Sequence, residues 1–344
     1  MEENVSLKMH IKALFGELFN RPDITEIIIN HFGEIIYEDE NGFTTGNEQE
    51  NAKVTPLNCK NFINALASES KQQINETIPI LSATLPSGER VQVVIPPACD
   101  DKQFSITIRK PNSRNFTLDE FKEKGFFDSV EISEQISEED MQLASYLGSK
   151  DYTKFFELAV AGGKKNIAIA GATGSGKTTF MKSLMNLIPK NERLITIEDV
   201  RELEDDIHQN IVNLIYPSEA KNEKSITPAQ LLKSCLRMKP DRILLAELRG
   251  GEAFDYINAI SSGHGGSITS LHAGTKDEVI RRLTLMCLQN KTGANIPYDT
   301  VKSIIESTID IIVHIGVENH KRKITFLYWK DYQKVIRRGK EWKN

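Results

Sequence analysis

The pattern of apolar and polar positions divides the chain into two unequal parts. Over roughly the first 110 residues, short β-branched apolar segments recur between turn signals, at residues 24–30, 34–45, 89–97 and 104–111. This pattern predicts strands, with a tight turn at Asn41-Gly42 and a hairpin around Asp100-Asp101. Helical periodicity predicts helices at the N-terminus and at residues 57–70. Residues 1–110 therefore read as a smaller α+β N-terminal domain.

From residue 151 onward, apolar strands alternate with helical segments. The predicted strands lie at residues 166–171, 193–199, 242–248 and 266–273. Such alternation is typical of an α/β domain with a mostly parallel sheet covered on both faces, here over residues 151–344. Helix starts are predicted where Thr227 precedes Pro228 and where Thr275 and Glu278 match a capping box.

The segment between the two parts, residues 111–150, is predicted to be a linker and an extension. PNSRNFT contains the residue types of a loop. Residues 131–150 are acidic and poor in aromatic side chains, which favours a mobile extension.

Composition excludes several classes of protein. The formal net charge of −5 disfavours constitutive nucleic-acid binding. No apolar run approaches the ~20 residues that cross a bilayer, so contact with a membrane is expected to be peripheral. The four cysteines are widely spaced and form no CxxC pair, which argues against a zinc site and a disulfide scaffold and fits a reducing cytoplasm.

The segment GATGSGKTT, residues 171–179, matches the phosphate-binding pattern G-x-x-x-x-G-K-[ST] between an apolar strand and a predicted helix. In such a loop, backbone N–H groups converge on phosphate oxygens, Lys177 reaches the β- and γ-phosphates, and the Thr178 hydroxyl binds Mg²⁺. The predicted cofactors are therefore ATP and Mg²⁺. The predicted cofactor-binding residues are Gly171, Ala172, Thr173, Gly174, Ser175, Gly176, Lys177, Thr178 and Thr179.

Hydrolysis also needs carboxylates for the magnesium shell and for positioning water, and these are expected at the carboxyl ends of parallel strands. RLITIED ends in Glu198 and Asp199, and RILLAEL carries Glu247, which is expected to reach Mg²⁺ directly or through water. GHGGSITSLHAG places His264 before a strand and His272 near its end, where a histidine could sense the γ-phosphate.

Four segments together resemble the secretion (traffic) ATPase family, the RecA-like motors of type II secretion, type IV secretion and type IV pili. GATGSGKTT resembles its Walker A motif, ITIEDVRE its Asp box, LRMKPDRILLAELR its Walker B region and SGHGGSITSLHAGT its His box. LRMKPD and RILLAELR look closest to the type IV secretion branch. ERVQVVIPP and SITIRKP resemble the family's N-terminal strands with nucleotide-facing arginines, here Arg90 and Arg109.

The resemblance implies a RecA-like ATPase that forms a homohexameric ring at the cytoplasmic face of the inner membrane. Its hydrolysis of ATP would move the domains and drive pilus assembly or substrate transfer through inner-membrane channel proteins of a type IV secretion or conjugation system. Carried over, Glu247 is the Walker B acid and Glu198 the Asp-box acid, and either could activate water. Ala246 stands where the family usually has glycine, a change that we expect to be tolerated.

Three other functions stay open at this point. A type IV pilus or type II secretion motor is the nearest, although neither a four-cysteine metal module nor a C-terminal AIRNLI-like motif is visible. A RecA-like DNA motor is weakened by the acidic balance. An ATP-binding scaffold without useful hydrolysis is disfavoured by the presence of Lys177, Thr178, Glu198 and Glu247 together.

Overall fold

We describe the chain from a computed structural model, which covers residues 5–101, 103–111, 117–130, 136–218 and 225–341. The N-terminal part contains one antiparallel sheet of six strands in the order β3-β2-β1-β6-β5-β4. Its elements are α1 (Val5–Phe15), β1 (Glu26–Ile29), β2 (Ile36–Asp39), β3 (Gly42–Thr45), α2 (Glu48–Asn51), α3 (Pro56–Glu69), β4 (Ile80–Thr84), β5 (Arg90–Val94) and β6 (Ser105–Arg109), with a 3₁₀ turn at Gly16–Asn20.

The strands and the helices predicted in this part are confirmed. The tight turn lies where the sequence predicts it, since Asp39 pairs with Gly42 across β2 and β3. β5 and β6 are antiparallel neighbours, as the hairpin around Asp100-Asp101 requires. α3 begins with Thr55 as its N-cap and Pro56 in its first turn. β4 has no counterpart among the sequence predictions.

The C-terminal part contains a sheet of seven strands in the order β13-β12-β7-β11-β10-β8-β9, parallel except for β13. Its strands are β7 (Ile167–Gly171), β8 (Leu194–Glu198), β9 (Ile211–Ile215), β10 (Arg242–Leu245), β11 (Ile268–Leu271), β12 (Ile311–Glu318) and β13 (Lys321–Trp329). The helices that precede, connect or follow them are α4 (Leu118–Glu123), α5 (Glu138–Ser149), α6 (Tyr152–Ala161), α7 (Lys177–Met185), α8 (Pro228–Cys235), α9 (Glu252–Ser261), α10 (Lys276–Gln289), α11 (Tyr298–Thr308) and α12 (Tyr332–Glu341), with a 3₁₀ turn at Gly293–Asn295.

The four strands predicted in this part are confirmed as the centre of the sheet. Every residue of β7, β8, β10 and β11 is buried, as expected for parallel strands with both faces covered. Both predicted helix starts are confirmed: Thr227 and Thr275 each form a capping box with the residue three positions further on. The domain bounds drawn at residues 110 and 150 remain a prediction.

The hypothesis of a mobile extension at residues 131–150 is wrong for residues 138–149. These residues form α5, in which Leu143 is fully buried in the same apolar cluster as Phe155 of α6. Lys165 also pairs with Asp140 at 2.7 Å. Leu143, the partly buried Ala144, Tyr146 and Leu147, and the ion pair hold this helix although its composition is mostly polar. Residues 131–135, and residues 112–116 of the predicted linker, lie outside the described residues.

The two sheets meet at a junction that is partly made of backbone. The segment between β5 and β6 reaches the C-terminal sheet, where the Ile215 N–H donates to the Ala98 carbonyl at 2.9 Å and Cys99 bridges to Leu214. Ala98 and Cys99 are accordingly buried in the apolar core of the C-terminal part. The N-terminal sheet is therefore attached to the β9 edge of the C-terminal sheet.

A fully buried arginine crosses the same junction. Arg193, directly before β8, donates to the Met238 carbonyl at 2.7 Å within its own part of the chain. It also donates to Asn30 at 3.1 Å and to the Thr107 hydroxyl at 3.2 Å in the N-terminal sheet. Its remaining partner is the Asn210 side-chain oxygen. Four acceptors therefore satisfy one buried guanidinium.

Within the described ranges, none of the helices combines the length and the apolar character that crossing a membrane would require.

Candidate active site

A cleft opens at the carboxyl edge of the C-terminal sheet, next to the segment that links β7 and α7. Its volume is about 350 Å³. The residues that line it are Thr173, Gly174, Gly176, Lys177, Thr178, Thr179, Asp199, Val200, Glu202, Ala246, Glu247, Arg249, Ser270, His272 and Arg322. Parallel strands place the loops after β7, β8, β10 and β11 at one edge, which explains why residues so distant in sequence meet here.

The loop at residues 171–176 has the backbone that phosphate binding needs. Gly174 and Gly176 have φ angles of +74° and +97°, which residues with a Cβ rarely adopt. Gly176 is the N-cap of α7 and provides no side-chain hydrogen bond to the first turn. The N–H groups at the start of α7 are therefore open to a phosphate, and the helix dipole favours its negative charge.

Lys177 is held close to the loop that precedes it. Its side chain is largely buried, and its Nζ donates to the carbonyl oxygens of Gly171 and Ala172, each at 3.1 Å. Burial lowers the pKa of Lys177, while the charge of Glu247 acts in the opposite direction. The ammonium group thus lies at the loop where the motif requires a cation.

Glu247 and His272 connect the loop to the neighbouring strands. His272 Nε2 lies 2.7 Å from Glu247 Oε1, and His272 Nδ1 lies 3.0 Å from the Gly171 carbonyl oxygen. The imidazole therefore bridges the acid after β10 and the last residue of β7. Glu247 Oε1 is buried and makes no hydrogen bond, so its contact with His272 is a close approach rather than a bond.

The two acids at the end of β8 have different surroundings. Asp199 lines the cleft, whereas Glu198 is fully buried and is not among the lining residues. Glu198 Oε1 accepts the backbone N–H groups of Glu202 at 3.0 Å and Leu203 at 2.8 Å. Burial raises the pKa of Glu198, and those two hydrogen bonds oppose the shift. Its side chain holds the following loop, and its catalytic role remains a prediction.

The predicted arginines of the N-terminal sheet are not brought into this cleft. Arg90 and Arg109 lie directly opposite each other on β5 and β6, and both are exposed. Arg109 Nε lies 3.6 Å from Glu26 Oε1. His264 is also outside the cleft, with its Nδ1 2.8 Å from the Pro240 carbonyl oxygen.

Sequence reasoning missed two cations of the cleft. Arg249 follows Glu247 by two residues, so its proximity to the acid could have been noticed. Arg322 lies on β13, far along the chain, and no local pattern points to it. Its side chain passes over the phosphate loop. Arg322 Cδ lies so close to Gly176 that a Cβ added to this glycine would be only 3.0 Å from it.

The oxygen donors of the cleft fit a magnesium ion. The Thr178 hydroxyl and the carboxylates of Asp199 and Glu247 line the same cavity. These are hard oxygen ligands of the kind that Mg²⁺ prefers beside phosphates, with water completing its octahedral shell.

The fold and the cleft together define a RecA-like nucleotide-binding domain of the phosphate-loop class, joined to an N-terminal part that has an α+β fold. A sequence model of the family described as "Type II/IV secretion system protein" matches residues 56–315. That match covers more than half of the chain, so the chain belongs to this family.

The similar proteins are components of type IV secretion systems. The type IV secretion system protein VirB11 of Brucella suis biovar 1 is 45% identical over 334 residues, which is 95% of this chain and 90% of that protein. PtlH of Bordetella pertussis is 40% identical over 96% of this chain and 97% of its own length. The crystal structure of the Brucella suis VirB11 ATPase in complex with sulphate superposes with a TM-score of 0.87 at 41% identity, covering 96% of each chain.

These comparisons confirm three of the sequence predictions: the RecA-like fold, the secretion ATPase family with its type IV branch, and ATP hydrolysis as the activity. They leave the roles of individual site residues as predictions.

Proposed function

We propose that the chain is the ATP-driven motor of a type IV secretion or conjugation system and that it couples hydrolysis to movement between its two sheets. One observation carries the coupling. Arg193 at the start of β8 is bonded into the N-terminal sheet, and Asp199 just after the end of β8 lines the cleft. A shift of the cleft acids would therefore be transmitted along one five-residue strand to the domain junction.

The proposed roles in the cleft follow from the contacts. Lys177 and the N–H groups at the start of α7 bind and orient the phosphates. Thr178 and Glu247 would hold magnesium, which would neutralise charge that develops on the transferred phosphoryl group. Glu247 is the better supported acid for orienting the attacking water, because it lines the cleft. Glu198, in contrast, is buried and accepts hydrogen bonds from backbone N–H groups.

His272 is proposed as the sensor of the γ-phosphate. His272 contacts both Glu247 and the Gly171 carbonyl. A displacement of the imidazole by the γ-phosphate would therefore move the acid and the phosphate loop as well. A third neighbour, Lys177 Nζ, lies 3.5 Å from His272 Nδ1.

A homohexameric ring gives Arg90 and Arg109 a role. Like charges directly opposite each other on neighbouring strands are destabilising, and the only carboxylate within ion-pair distance of Arg109 in the described chain is Glu26. Both arginines lie outside the lining of the chain's own cleft, so we propose that they reach a nucleotide held by the neighbouring subunit of the ring. A bidentate arginine there would report the γ-phosphate and hold the neighbouring subunit until hydrolysis.

The proposed setting is the cytoplasmic face of the inner membrane, with peripheral membrane contact and channel proteins of the secretion system as partners. The high identity to VirB11 of Brucella suis and PtlH of Bordetella pertussis, both named as type IV secretion system proteins, supports this setting. No constitutive nucleic-acid binding is proposed for a chain of net charge −5.

The coupling is tested by measuring a distance between the two parts in solution. Spin labels at Lys60→Cys on α3 and Leu285→Cys on α10 occupy exposed positions, whereas the four native cysteines are buried. With Mg²⁺, the distance distribution should differ between ADP and a non-hydrolysable ATP analogue.

The same labels in a Lys177→Ala background provide the control, and there the two nucleotides should give one distribution. Identical distributions in the otherwise unaltered protein, at saturating nucleotide, would show that the sheets do not move with the γ-phosphate.

A further inference from the structure

The Arg249 side chain contacts Glu247, the acid on which the proposed metal site depends. Its Nε and Nη2 lie 2.8 and 2.7 Å from Glu247 Oε2, and its Nη1 lies 2.6 Å from Asp199 Oδ2. The other oxygen of Glu247 faces His272 Nε2 at 2.7 Å. Oε2 of Glu247 is therefore held by the guanidinium, while Oε1 is buried beside His272 and makes no hydrogen bond.

A guanidinium and a magnesium shell place incompatible demands on Glu247 Oε2. Because Oε1 is buried, a magnesium ion or its bound water would have to use Oε2, and either arrangement would bring a second positive charge to an atom that two N–H groups already contact. Repulsion between the two cations would add to the competition, since both would lie against the same carboxylate.

We infer that Arg249 is a positioning residue that competes with magnesium for Glu247 Oε2, so that metal binding and the Arg249–Glu247 contact oppose each other. The inference rests on the proposed role of Glu247 in the metal site. By linkage, the affinity of the cleft for magnesium is lowered by the free energy of that contact. Release of Arg249 from Glu247 then accompanies metal loading, while Asp199 retains the guanidinium.

The local structure allows this exchange. The backbone N–H groups of Arg249 and Gly250 both donate to Glu252 Oε1, at 2.7 and 2.8 Å, which fixes the loop between β10 and α9. The Arg249 side chain is 51% exposed, whereas the carboxylates of Glu247 and Asp199 are 16% and 18% exposed. The arginine can therefore move while its acids stay in place, and Asp199 provides an anchor for one end.

The electrostatics of the pair agree with this geometry. Burial alone lowers the pKa of Arg249, but its hydrogen bonds to Glu247 and Asp199 outweigh that effect and raise the pKa above its ordinary value. Arg249 therefore stays charged at any pH at which the protein is folded, and the competition is between two permanent cations.

The test measures magnesium affinity rather than turnover. A fluorescent ADP analogue is bound to the protein at fixed concentration, and Mg²⁺ is titrated in at constant ionic strength. Arg249→Ala should lower the apparent Kd for Mg²⁺ by about tenfold, which corresponds to one charge-assisted hydrogen bond. Arg249→Lys, which keeps the charge but loses the two-pronged contact to Oε2, should give an intermediate Kd.

Arg322→Ala is the matched control, because Arg322 lines the same cleft and makes no ion pair with Glu247 or Asp199 among the described residues. If Arg249→Ala and Arg322→Ala lower the apparent Kd for Mg²⁺ equally, the loss of any positive charge in the cleft is enough to raise the affinity. That result would overturn the inference. An unchanged or weaker affinity in Arg249→Ala would overturn it as well.

The two levels of the proposal fail differently. If the unaltered protein shows no Mg²⁺-dependent nucleotide binding, the proposed metal site fails and the competition fails with it. If the unaltered protein binds Mg²⁺ with nucleotide and hydrolyses ATP, but Arg249→Ala does not shift the Mg²⁺ Kd, only the competition is wrong.

Discussion

Replacing the buried arginine at the domain junction should loosen the two parts of the chain from each other. Arg193→Met keeps much of the side-chain volume and removes the guanidinium that bonds to Asn30 and Thr107 of the N-terminal sheet and to Asn210 and Met238 of the C-terminal part. The substitution therefore deletes a polar contact across the junction without opening a large cavity.

The size of the effect follows from two opposing contributions. Four hydrogen bonds from a charged donor, at about 1.5 kcal/mol each, stabilise the folded state by about 6 kcal/mol. Burial lowers the pKa of Arg193 to about 10, which corresponds to an opposing cost of about 3 kcal/mol for keeping the charge inside the protein. Arg193→Met should thus reduce the free energy of unfolding by about 3 kcal/mol.

Hydrogen–deuterium exchange can distinguish a loosened junction from general destabilisation. In Arg193→Met, the Ile215 amide, which donates to Ala98 across the junction, should exchange faster than in the unaltered protein. The control is Arg242→Met, because Arg242 is also fully buried but bonds only within the C-terminal part, to Glu192 and to backbone carbonyls. This control should lower stability and leave the junction amide protected.

Two results would refute the reasoning. The first is an unfolding free energy of Arg193→Met within about 1 kcal/mol of the unaltered protein, since this would mean that relief of the buried charge offsets the lost bonds. The second is equal acceleration of the Ile215 amide in Arg193→Met and Arg242→Met, which would assign the effect to the C-terminal core alone.

Three further predictions concern single carboxyl or amino groups. Burial raises the pKa of Glu26 from 4.5 to about 7, so the stability that its protonated form provides below pH 4.5 is lost as the pH rises through 7. Glu26→Gln should flatten this pH dependence and, in urea unfolding at pH 8, be more stable than the unaltered protein by up to about 3 kcal/mol. Parallel curves of stability against pH for the two proteins would contradict this prediction. Lys177→Ala should nearly abolish ATP turnover with an unchanged melting temperature of the protein alone, and normal turnover would exclude this loop as the catalytic site. Glu247→Gln should keep nucleotide binding and lose ATP turnover, whereas Glu198→Gln should mainly lower thermal stability. If a coupled-enzyme assay shows that turnover is lost in Glu198→Gln and kept in Glu247→Gln, Glu198 is the critical acid.

The parts of the site that follow from local sequence were predictable. A phosphate loop needs glycine at positive φ, a lysine and a hydroxyl at fixed spacing, so GATGSGKTT determines its own geometry. Strand ends were predictable for a similar reason, since apolar runs that end in acids place those acids at one edge of a parallel sheet.

The choice between Glu198 and Asp199 was not predictable from these runs. Successive residues of a strand point to opposite faces, so only one of two adjacent acids can face the cleft, and the sequence does not say where the strand stops. Here Glu198 is the last residue of β8 and turns inward, and Asp199 faces the cleft.

Long-range polar contacts were the other gap. Arg193 bonds to Asn30 and Thr107, and Arg322 lies over Gly176, across distances in sequence that no local period encodes. The helix α5 was missed for a related reason, because its burial depends largely on Leu143 in a mostly polar segment.

The attachment of Ala98 and Cys99 to β9 leaves the two margins of the seven-stranded sheet unequal. One margin, β9, is joined to the chain's own backbone at Leu214 and Ile215, and the other is β13, nine residues long and exposed from Lys321 to Phe326. Unpaired N–H and C=O groups along such a margin can accept a further strand, and the successive charges of Lys321, Arg322 and Lys323 disfavour casual pairing there. A strand from another molecule would therefore find the longer margin of this sheet at β13, beside the arginine that overlies the phosphate loop.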